Sequence, residues 1–287
     1  MRAAELLADG IARLRAAGLD GAAGDARVLL AYALDIPRDR LTLAMGDDVS
    51  TPAQHRFQTA ITARAAYRPV AQIIGRRAFF GRDFAVTPDV LDPRPDTETL
   101  IEAALEQPFS RLLDLGTGSG AIALTLLAER PDAQAVAVDL SQPALKVAAR
   151  NAKALGLSSR VTFLRSDWFG AVGGVFDLIV SNPPYIGVPE LADLSRDVRD
   201  YEPRMALVPT DDDGSGLAAY RVICAQAQNY LRPGGWLRVE IGYRQGAAVQ
   251  ALFTEAGFDH VSLRKDLSGH ARVVSGQAPL GQSPSEL

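Results

Sequence analysis

The chain has 287 residues, of which 47% are apolar and 22% are charged, and its 30 lysines and arginines against 34 aspartates and glutamates give a formal net charge of −4. The apolar share predicts a folded, soluble protein of one or two domains and excludes a largely disordered chain. The negative charge argues mildly against a nucleic-acid duplex as the principal substrate.

Individual residues exclude further classes of protein. Cys224 is the single cysteine, so no internal disulfide forms and a reducing compartment is expected. The three histidines share no metal-ligand spacing, so we expect no metal. Glu5 and Asp9 interrupt what would be the apolar part of a signal peptide, and no apolar run approaches the roughly 18 residues that span a membrane. We therefore expect a cytoplasmic protein, without membrane contact, that acts as a monomer.

The first part of the chain, residues 1–72, has the periodicity of helices and no strand pattern. One apolar face is formed by Leu6, Leu7, Ile11 and Leu14, and a second by Val28, Leu29, Leu30 and Leu34. Pro52 marks the start of a longer helix that runs to about Tyr67. We predict a small helical bundle that carries no chemistry. Its use would be to dock a macromolecule; the alternative is that it only buries an edge of the main domain.

The next segments change character twice. Residues 73–90, with Phe79, Phe80 and Phe84, predict a short β-hairpin that acts as a linker. From 91 to 276 strand and helix patterns alternate, which predicts an α/β domain with a doubly wound, Rossmann-like parallel sheet and helices on both faces. Residues 277–287 are rich in Pro, Ser and Gly and are predicted to be a disordered tail.

A glycine-rich turn follows the first strand of that domain. The predicted strand Arg111–Leu115 leads into Gly116, Thr117, Gly118, Ser119 and Gly120, and then into a helical pattern from Ala121 to Glu129. Such a turn lets a ligand approach the backbone closely at the N-terminus of a helix. The glycine spacing also satisfies the degenerate dinucleotide pattern, so a nicotinamide cofactor is an alternative.

Acidic residues near three strand ends favour a different cofactor. Asp114 stands two residues before the first glycine, where it could receive a cationic amino group. Asp139 ends the second strand and could accept hydrogen bonds from both ribose hydroxyls; capping the next helix, beside Ser141, is a compatible use. Asp167 and Trp168 follow the third strand and could flank an adenine. S-adenosylmethionine, a nucleoside with an amino-acid tail, fits all three strand ends.

The predicted strand 176–180 ends in Ser181 and then in Asn182, Pro183, Pro184 and Tyr185. Two consecutive prolines neither continue a ladder nor enter a helix, so the strand stops in a rigid loop. The carbonyl groups of Asn182 and Pro183 and the Asn182 side chain can accept both hydrogens of a planar NH2 group, while Tyr185 offers an aromatic face. This set predicts transfer of a methyl group to a conjugated nitrogen, and an ordinary proline-rich turn is the alternative.

These two motifs together resemble class I S-adenosylmethionine-dependent methyltransferases that act on an exocyclic or amide nitrogen. More narrowly, the chain resembles the HemK/PrmC family of protein-(glutamine-N5) methyltransferases, which modify the glutamine of the Gly-Gly-Gln loop in peptide chain release factors. The narrower resemblance rests on residues 68–75, 93–98, 201–207 and 266–274, and it covers nearly the whole chain.

The resemblance implies roles for the motif residues. Residues 116–120, Asp139, Trp168 and Asn182 would contact the cofactor, and Asn182 to Tyr185 would hold the substrate glutamine amide. Release factors would then be the protein partners, no nucleic acid would be a direct substrate, and S-adenosylhomocysteine would be the product of the cofactor. A glutamine methyltransferase of a ribosomal protein, an exocyclic-amino methyltransferase of DNA or RNA, and a protein that binds the cofactor without catalysis remain alternatives.

Overall fold

The structure is a computed structural model and describes residues 1–280. It divides into two compact units. The first consists of Met1–Arg76 together with Ser195–Tyr201, and the second of Arg77–Leu194 together with the described residues from Glu202 onward. The division after Arg76 lies within the stretch 73–90 that the sequence predicts to be a linker, and the first unit also takes in a short segment from far along the chain.

The first unit is a helical bundle, as predicted. Its helices are α1 (Ala3–Ala16), α2 (Ala22–Leu34), α3 (Thr51–Ala65), α4 (Val70–Ile74) and, from the later segment, α8 (Arg196–Tyr201). Leu6, Leu14, Leu29 and Leu30 of the predicted apolar faces are almost fully buried, around Phe57 of α3. Arg64 is buried too, and its guanidinium donates to the Asp25 carboxylate at 2.7 Å, so this buried charge is paired.

The second unit contains a two-stranded hairpin and a seven-stranded sheet. The strands are β1 (Arg76–Phe79), β2 (Arg82–Ala85), β3 (Arg111–Leu115), β4 (Gln134–Asp139), β5 (Val161–Arg165), β6 (Phe176–Ser181), β7 (Leu231–Glu240), β8 (Asp259–Lys265) and β9 (Ala271–Gln277). The hairpin is β1-β2, and the order in the sheet is β5-β4-β3-β6-β7-β9-β8. The five strands from β3 to β7 pair in parallel with their neighbours in the sheet. Strand β9 is antiparallel to both β7 and β8. The predicted class of fold is confirmed, and the sheet ends in the antiparallel pair of β8 and β9.

Helices cover both faces of the sheet. They are α5 (Glu98–Leu105), α6 (Ala121–Glu129), α7 (Gln142–Ala154), α10 (Ala218–Ala227) and α11 (Gly246–Glu255), while the short helix α9 (Arg204–Leu207) belongs to the segment between β6 and α10. One apolar core forms against α5 and α6 and a second against α10 and α11, which includes Cys224. Because both faces are covered, the central strand β3 is apolar along most of its length, with Leu112, Leu113 and Leu115 fully buried.

Two segments differ from the pattern read in the sequence. Strand β7 runs through Pro233 and Gly234, residues that are typical of a turn, and bulges out against β6 where Gly234 has a φ of 78°. In the predicted tail, Gln277 ends β9, and Ala278 is buried with its N–H donating to the Gly235 carbonyl. The sheet therefore extends into the first residue of that tail, and Ala278 packs against it; residues 281–287 lie outside the described part of the chain.

Asn151 of α7 fixes the hairpin and the glycine-rich turn to each other. Its side-chain amide donates to the Ser119 carbonyl at 2.8 Å and to the Ala85 carbonyl at 3.2 Å, and its oxygen accepts from the Ala85 N–H at 2.7 Å. The side chain is almost completely buried, so water cannot replace these bonds. One asparagine thus satisfies three backbone groups.

Replacing Asn151 with Ala leaves those backbone groups without their partner, and we expect the free energy of unfolding to fall by about 2 to 4 kcal/mol. Urea denaturation followed by tryptophan fluorescence measures it, because both tryptophans, Trp168 and Trp236, belong to this unit. Lys153→Ala is the control, since that exposed residue on the same helix should change stability by less than about 0.5 kcal/mol. Equal stability of the Asn151→Ala variant and the control would contradict this role.

Candidate active site

A cavity opens at the carboxyl ends of β3, β4, β5 and β6, where the strand order of the sheet reverses. It encloses about 1140 Å³ of space that is continuous with solvent, and all of its lining residues belong to the second unit. Nine residues singled out in the sequence line it: Gly116, Thr117, Gly118, Ser119, Asp139, Asp167, Trp168, Asn182 and Pro184. Four others, Asp114, Gly120, Pro183 and Tyr185, do not. Ligands of open α/β sheets bind at such a point of reversal.

The glycine-rich turn presents bare backbone to this cavity. Gly116 and Gly118 have φ values of 71° and 55°, a conformation that other residues adopt only with strain, and a Cβ built on either meets nothing within 4 Å. The Thr117 N–H donates to the Val138 carbonyl at 2.9 Å, which fixes the turn against β4. The turn therefore leaves room for a ligand directly against its backbone.

Asp114 lies beneath the turn rather than on the cavity wall. Its Oδ2 accepts from the Thr117 hydroxyl at 2.6 Å and from the Ala123 N–H at 3.2 Å, while its Oδ1 is buried and has no partner among the described residues. Complete burial raises the pKa of this carboxyl to about 7. The sequence placed Asp114 beside a cationic amino group; in the structure it holds the turn and the start of α6.

Asp139 supports the same turn from the side. Its Oδ2 accepts from the Gly118 N–H at 2.9 Å and its Oδ1 from the Ser141 N–H at 2.8 Å, and burial raises its pKa above the usual range. The cap of α7 is provided by the Ser141 hydroxyl, which accepts from the Ala144 N–H. The Asp139 carboxylate therefore faces the cavity with lone pairs still available to hydroxyl donors.

The third strand contributes Asp167 and Trp168 to the lining. Trp168 has a φ of 44°, which is uncommon for a bulky residue, and its carbonyl accepts from the Ser166 hydroxyl at 2.8 Å. The Ser166 hydroxyl also accepts from the Ala171 N–H at 2.9 Å. This tight turn brings Asp167 and Trp168 to the cavity wall.

The rigid loop after β6 stands across the cavity from the glycine-rich turn. The Ser181 hydroxyl donates to the Leu115 carbonyl at 2.7 Å and joins the ends of the two strands. The Asn182 side-chain amide then donates to the Thr97 hydroxyl oxygen at 3.3 Å. Because the side-chain NH2 group of Asn182 is bound on the protein side, the side-chain carbonyl of Asn182 is available to accept from an incoming NH2 group.

Pro183 and Tyr185 are placed behind the lining. Pro183 is buried, and the Tyr185 carbonyl accepts from the Gln245 side-chain amide at 2.9 Å. Burial and the nearby Glu240 carboxylate raise the pKa of the Tyr185 phenol well above its ordinary value, so it remains protonated at neutral pH. The Tyr185 ring is half-buried and packs against the core that includes α10 and α11, which anchors the loop.

The sequence reading missed four residues that shape the site. Thr97 and Glu240 adjoin Asn182, and Arg94 lines the cavity while its guanidinium pairs with the buried Glu202 at 3.2 Å. The available signal for Glu240 was an acid that ends an apolar strand, and for Thr97 and Arg94 their place in the motif 93–98. Neither sequence feature indicates which residues these side chains contact.

Replacing Asp139 with Ala should weaken binding of S-adenosylhomocysteine by about 10- to 100-fold, because hydrogen bonds to a charged group contribute about 1.5 to 3 kcal/mol. Isothermal titration calorimetry gives the dissociation constant. Asp132→Ala is the matched control, an exposed acid just before β4 and outside the cavity, and its dissociation constant should stay within about twofold of that of the unaltered protein. Unaltered affinity of the Asp139→Ala variant would contradict a cofactor role.

The raised pKa of Asp114 predicts a pH dependence of stability. Between about pH 4 and pH 7 the unfolded chain has released this proton while the folded chain retains it, so the free energy of unfolding falls as the pH rises. In the Asp114→Asn variant, the part of this decrease in the free energy of unfolding that comes from Asp114 is absent. Urea denaturation at about pH 5 and pH 8 should show the variant gaining stability relative to the unaltered protein at the higher pH. A pH-independent difference would contradict the assignment.

Comparisons with known proteins agree with this geometry. Residues 5–75 match the family model of the PrmC N-terminal domain, and residues 90–191 match that of the methyltransferase small domain. A release factor glutamine methyltransferase of Cereibacter sphaeroides is 55% identical over 279 residues, covering 97% of this chain and 99% of its own length. One from Rhodospirillum rubrum is 45% identical over 94% of this chain and 83% of its own length.

A solved structure supports the fold alone. The methyltransferase from Pyrococcus furiosus superposes with a TM-score of 0.54 at 18% identity, covering 77% of this chain and 98% of its own. The family models match residues in each of the two described units, and the curated relatives match nearly end to end, as the resemblance to HemK/PrmC proteins predicted. The chain belongs to the family of release factor glutamine methyltransferases.

Proposed function

We propose that this protein transfers a methyl group from S-adenosylmethionine to the side-chain amide nitrogen of the glutamine in the Gly-Gly-Gln loop of peptide chain release factors. The observation that carries the proposal is Asn182, held through its NH2 group on the protein side, across one cavity from a glycine-rich turn with open backbone. The relatives' name, release factor glutamine methyltransferase, supplies the substrate class.

The residues present fit the cofactor. No side chain blocks the approach to the backbone at Gly116 and Gly118, and the half-buried Asp139 carboxylate faces the same cavity as Asp167 and Trp168. When bound, S-adenosylmethionine supplies an electrophilic methyl group on a sulfonium. Residues 116–119 would hold its amino-acid part, Asp139 its ribose, and Asp167 with Trp168 its adenine.

The loop 182–185 would orient the acceptor. An amide nitrogen is a poor nucleophile because its lone pair is conjugated with the carbonyl group, so its position matters more than a strong base. The Asn182 side-chain carbonyl and the Pro183 main-chain carbonyl would each accept one hydrogen of the substrate NH2. Both bonds grow stronger as positive charge develops on nitrogen, which stabilises the transition state. Tyr185 would anchor the loop through its half-buried ring.

The partners follow from the substrate. Relatives named for release factors favour this protein substrate over a ribosomal protein or a nucleic acid. The first unit would dock the release factor, and the chain that leaves the loop 182–185 passes through that unit at Ser195–Tyr201. We propose that the enzyme acts as a monomer, in the cytoplasm where translation takes place. Within residues 1–280, no helix is long and apolar enough to cross a membrane.

The test uses purified protein, S-adenosylmethionine and a release factor of the same organism. Peptide mass spectrometry should find one added methyl group on the glutamine of the Gly-Gly-Gln loop. Asn182→Ala should lower turnover by about 100-fold or more, since one transition-state contact is lost. Asn229→Ala, the same change at an exposed position, should turn over normally.

Two outcomes contradict the proposal. If the unaltered protein binds S-adenosylhomocysteine yet leaves the release factor unmethylated, the substrate class is wrong. If the Asn182→Ala variant keeps near-normal turnover, the substrate stands and the role of Asn182 is wrong.

A further inference from the structure

Glu240 is a buried acid that the proposed transfer step does not use. It ends β7, and its side chain has 1% of its surface exposed. The Thr97 and Asn182 side chains hydrogen-bond with its carboxylate, and its Oε2 has no hydrogen-bond partner among the described residues. Burying a carboxylate is costly unless it is paired, so this position needs a reason.

The orientation of Asn182 supplies that reason. A carboxamide has an oxygen and an NH2 group of nearly equal size, so rotation by about 180° exchanges an acceptor for two donors. An Asn182 NH2 turned to the cavity would oppose the NH2 group of the substrate. The correct orientation therefore depends on acceptors placed on the protein side.

Thr97 and Glu240 provide those acceptors one after the other: Thr97 accepts from Asn182, and Glu240 accepts from Thr97. The Asn182 NH2 donates to the Thr97 hydroxyl oxygen at 3.3 Å, so the hydroxyl hydrogen must find another acceptor. An ionised carboxylate accepts and never donates. With Glu240 ionised, the Thr97 hydroxyl donates toward it and keeps its own oxygen for Asn182.

We infer that Glu240 is a positioning residue that acts through Thr97 to hold the Asn182 carbonyl toward the substrate NH2 group. The inference rests on the proposed function and deepens it. Glu240 is not among the residues that line the cavity, so we treat it as a residue that acts through its neighbours. Its effect is to remove the orientation of Asn182 that would block the reaction.

The surroundings of Glu240 add a pH dependence. Burial raises its pKa to about 7; the Arg272 guanidinium opposes this rise and the Asp96 carboxylate adds to it. The groups that face it are Arg272 on β9, Asp96 before α5, Tyr185 in the loop after β6, and Tyr220 on α10, whose hydroxyl donates to the Glu240 main-chain carbonyl. Once protonated, Glu240 can donate to Thr97, and the hydroxyl no longer has to accept from Asn182. Turnover should therefore fall as the pH drops below about 7.

Glu240→Gln tests this role with an isosteric change. A glutamine both donates and accepts, so it no longer specifies which way Thr97 and Asn182 point. We expect kcat for release factor methylation to fall about 10-fold or more, while the dissociation constant for S-adenosylhomocysteine stays within about twofold. Glu106→Gln is the matched control: its carboxylate accepts from Arg238 of the same strand β7 and lies outside the cavity, so kcat should not change.

A double-mutant cycle separates positioning from general support of the fold. If Glu240 acts through Asn182, Glu240→Gln should cause no further loss in an Asn182→Ala background, whereas independent effects would multiply. Thr97→Val removes the intermediate hydroxyl and should behave in the same way. It keeps the test open if the Glu240→Gln variant does not fold.

The pH profile gives a second readout. The fall of kcat below about pH 7 should be present in the unaltered enzyme and absent from Glu240→Gln. Asp114 has a similar pKa, so a fall that survives in Glu240→Gln would belong to another group and would contradict the inference. Unaltered kcat in Glu240→Gln, or multiplying losses in the cycle, would overturn it too. An unaltered enzyme that fails to methylate the release factor would instead overturn the proposed function, and this inference with it.

Discussion

The parallel pairing of β3 with β6 is the constraint on which the site depends. Leu115 stands opposite Ser181 in this register, and Leu115 also stands opposite Val138 of β4, so three strands end at one level. The Ser181 hydroxyl bond to the Leu115 carbonyl fixes that level at the sheet edge. A slip of one residue would move each side chain of the slipped strand to the opposite face of the sheet, where it would lose its packing in its own core. The hydrophobic cores therefore set the separation between the turn that faces the cofactor and the loop that faces the substrate.

Beneath each of these two loops lies a buried carboxylate, and the two arrangements are alike. Asp114 accepts a hydrogen bond from the Thr117 hydroxyl under the glycine-rich turn, and Glu240 accepts one from the Thr97 hydroxyl under Asn182. In both, one oxygen lacks a partner, and burial raises the pKa to about 7. Such acids lower stability at neutral pH, because ionisation favours the unfolded chain. An ionised carboxylate can only accept, so it fixes which neighbouring group donates. A neutral side chain that both donates and accepts would not fix this.

Local patterns in the sequence predicted the parts of the fold that depend on local chemistry. Strand, glycine turn and helix follow one another around Gly116, the two prolines after Asn182 stop β6, and apolar periodicity marks the bundle; these predictions are confirmed. Contacts between distant residues could not be read in this way. Thr97 and Asn182 are 85 positions apart, and nothing in the motif 182–185 indicates its partner. The burial of Tyr185 and the place of Asp114 beneath the turn also depend on packing that the motifs do not encode.

The contacts that the sequence could not predict involve charged residues most, and the wall of the cavity shows why. Residues 89–94 line the cavity outside any helix or strand, so ladder hydrogen bonds do not hold them. Asp92 pairs with Arg77 at 3.6 Å, its N–H donates to Glu202, and the Arg94 guanidinium pairs with the same glutamate. Arg77 and Glu202 are also the residues at which the chain enters the second unit on its two passages from the first. The shape of this wall thus rests on ion pairs between remote parts of the chain, which leave no periodic trace in the sequence.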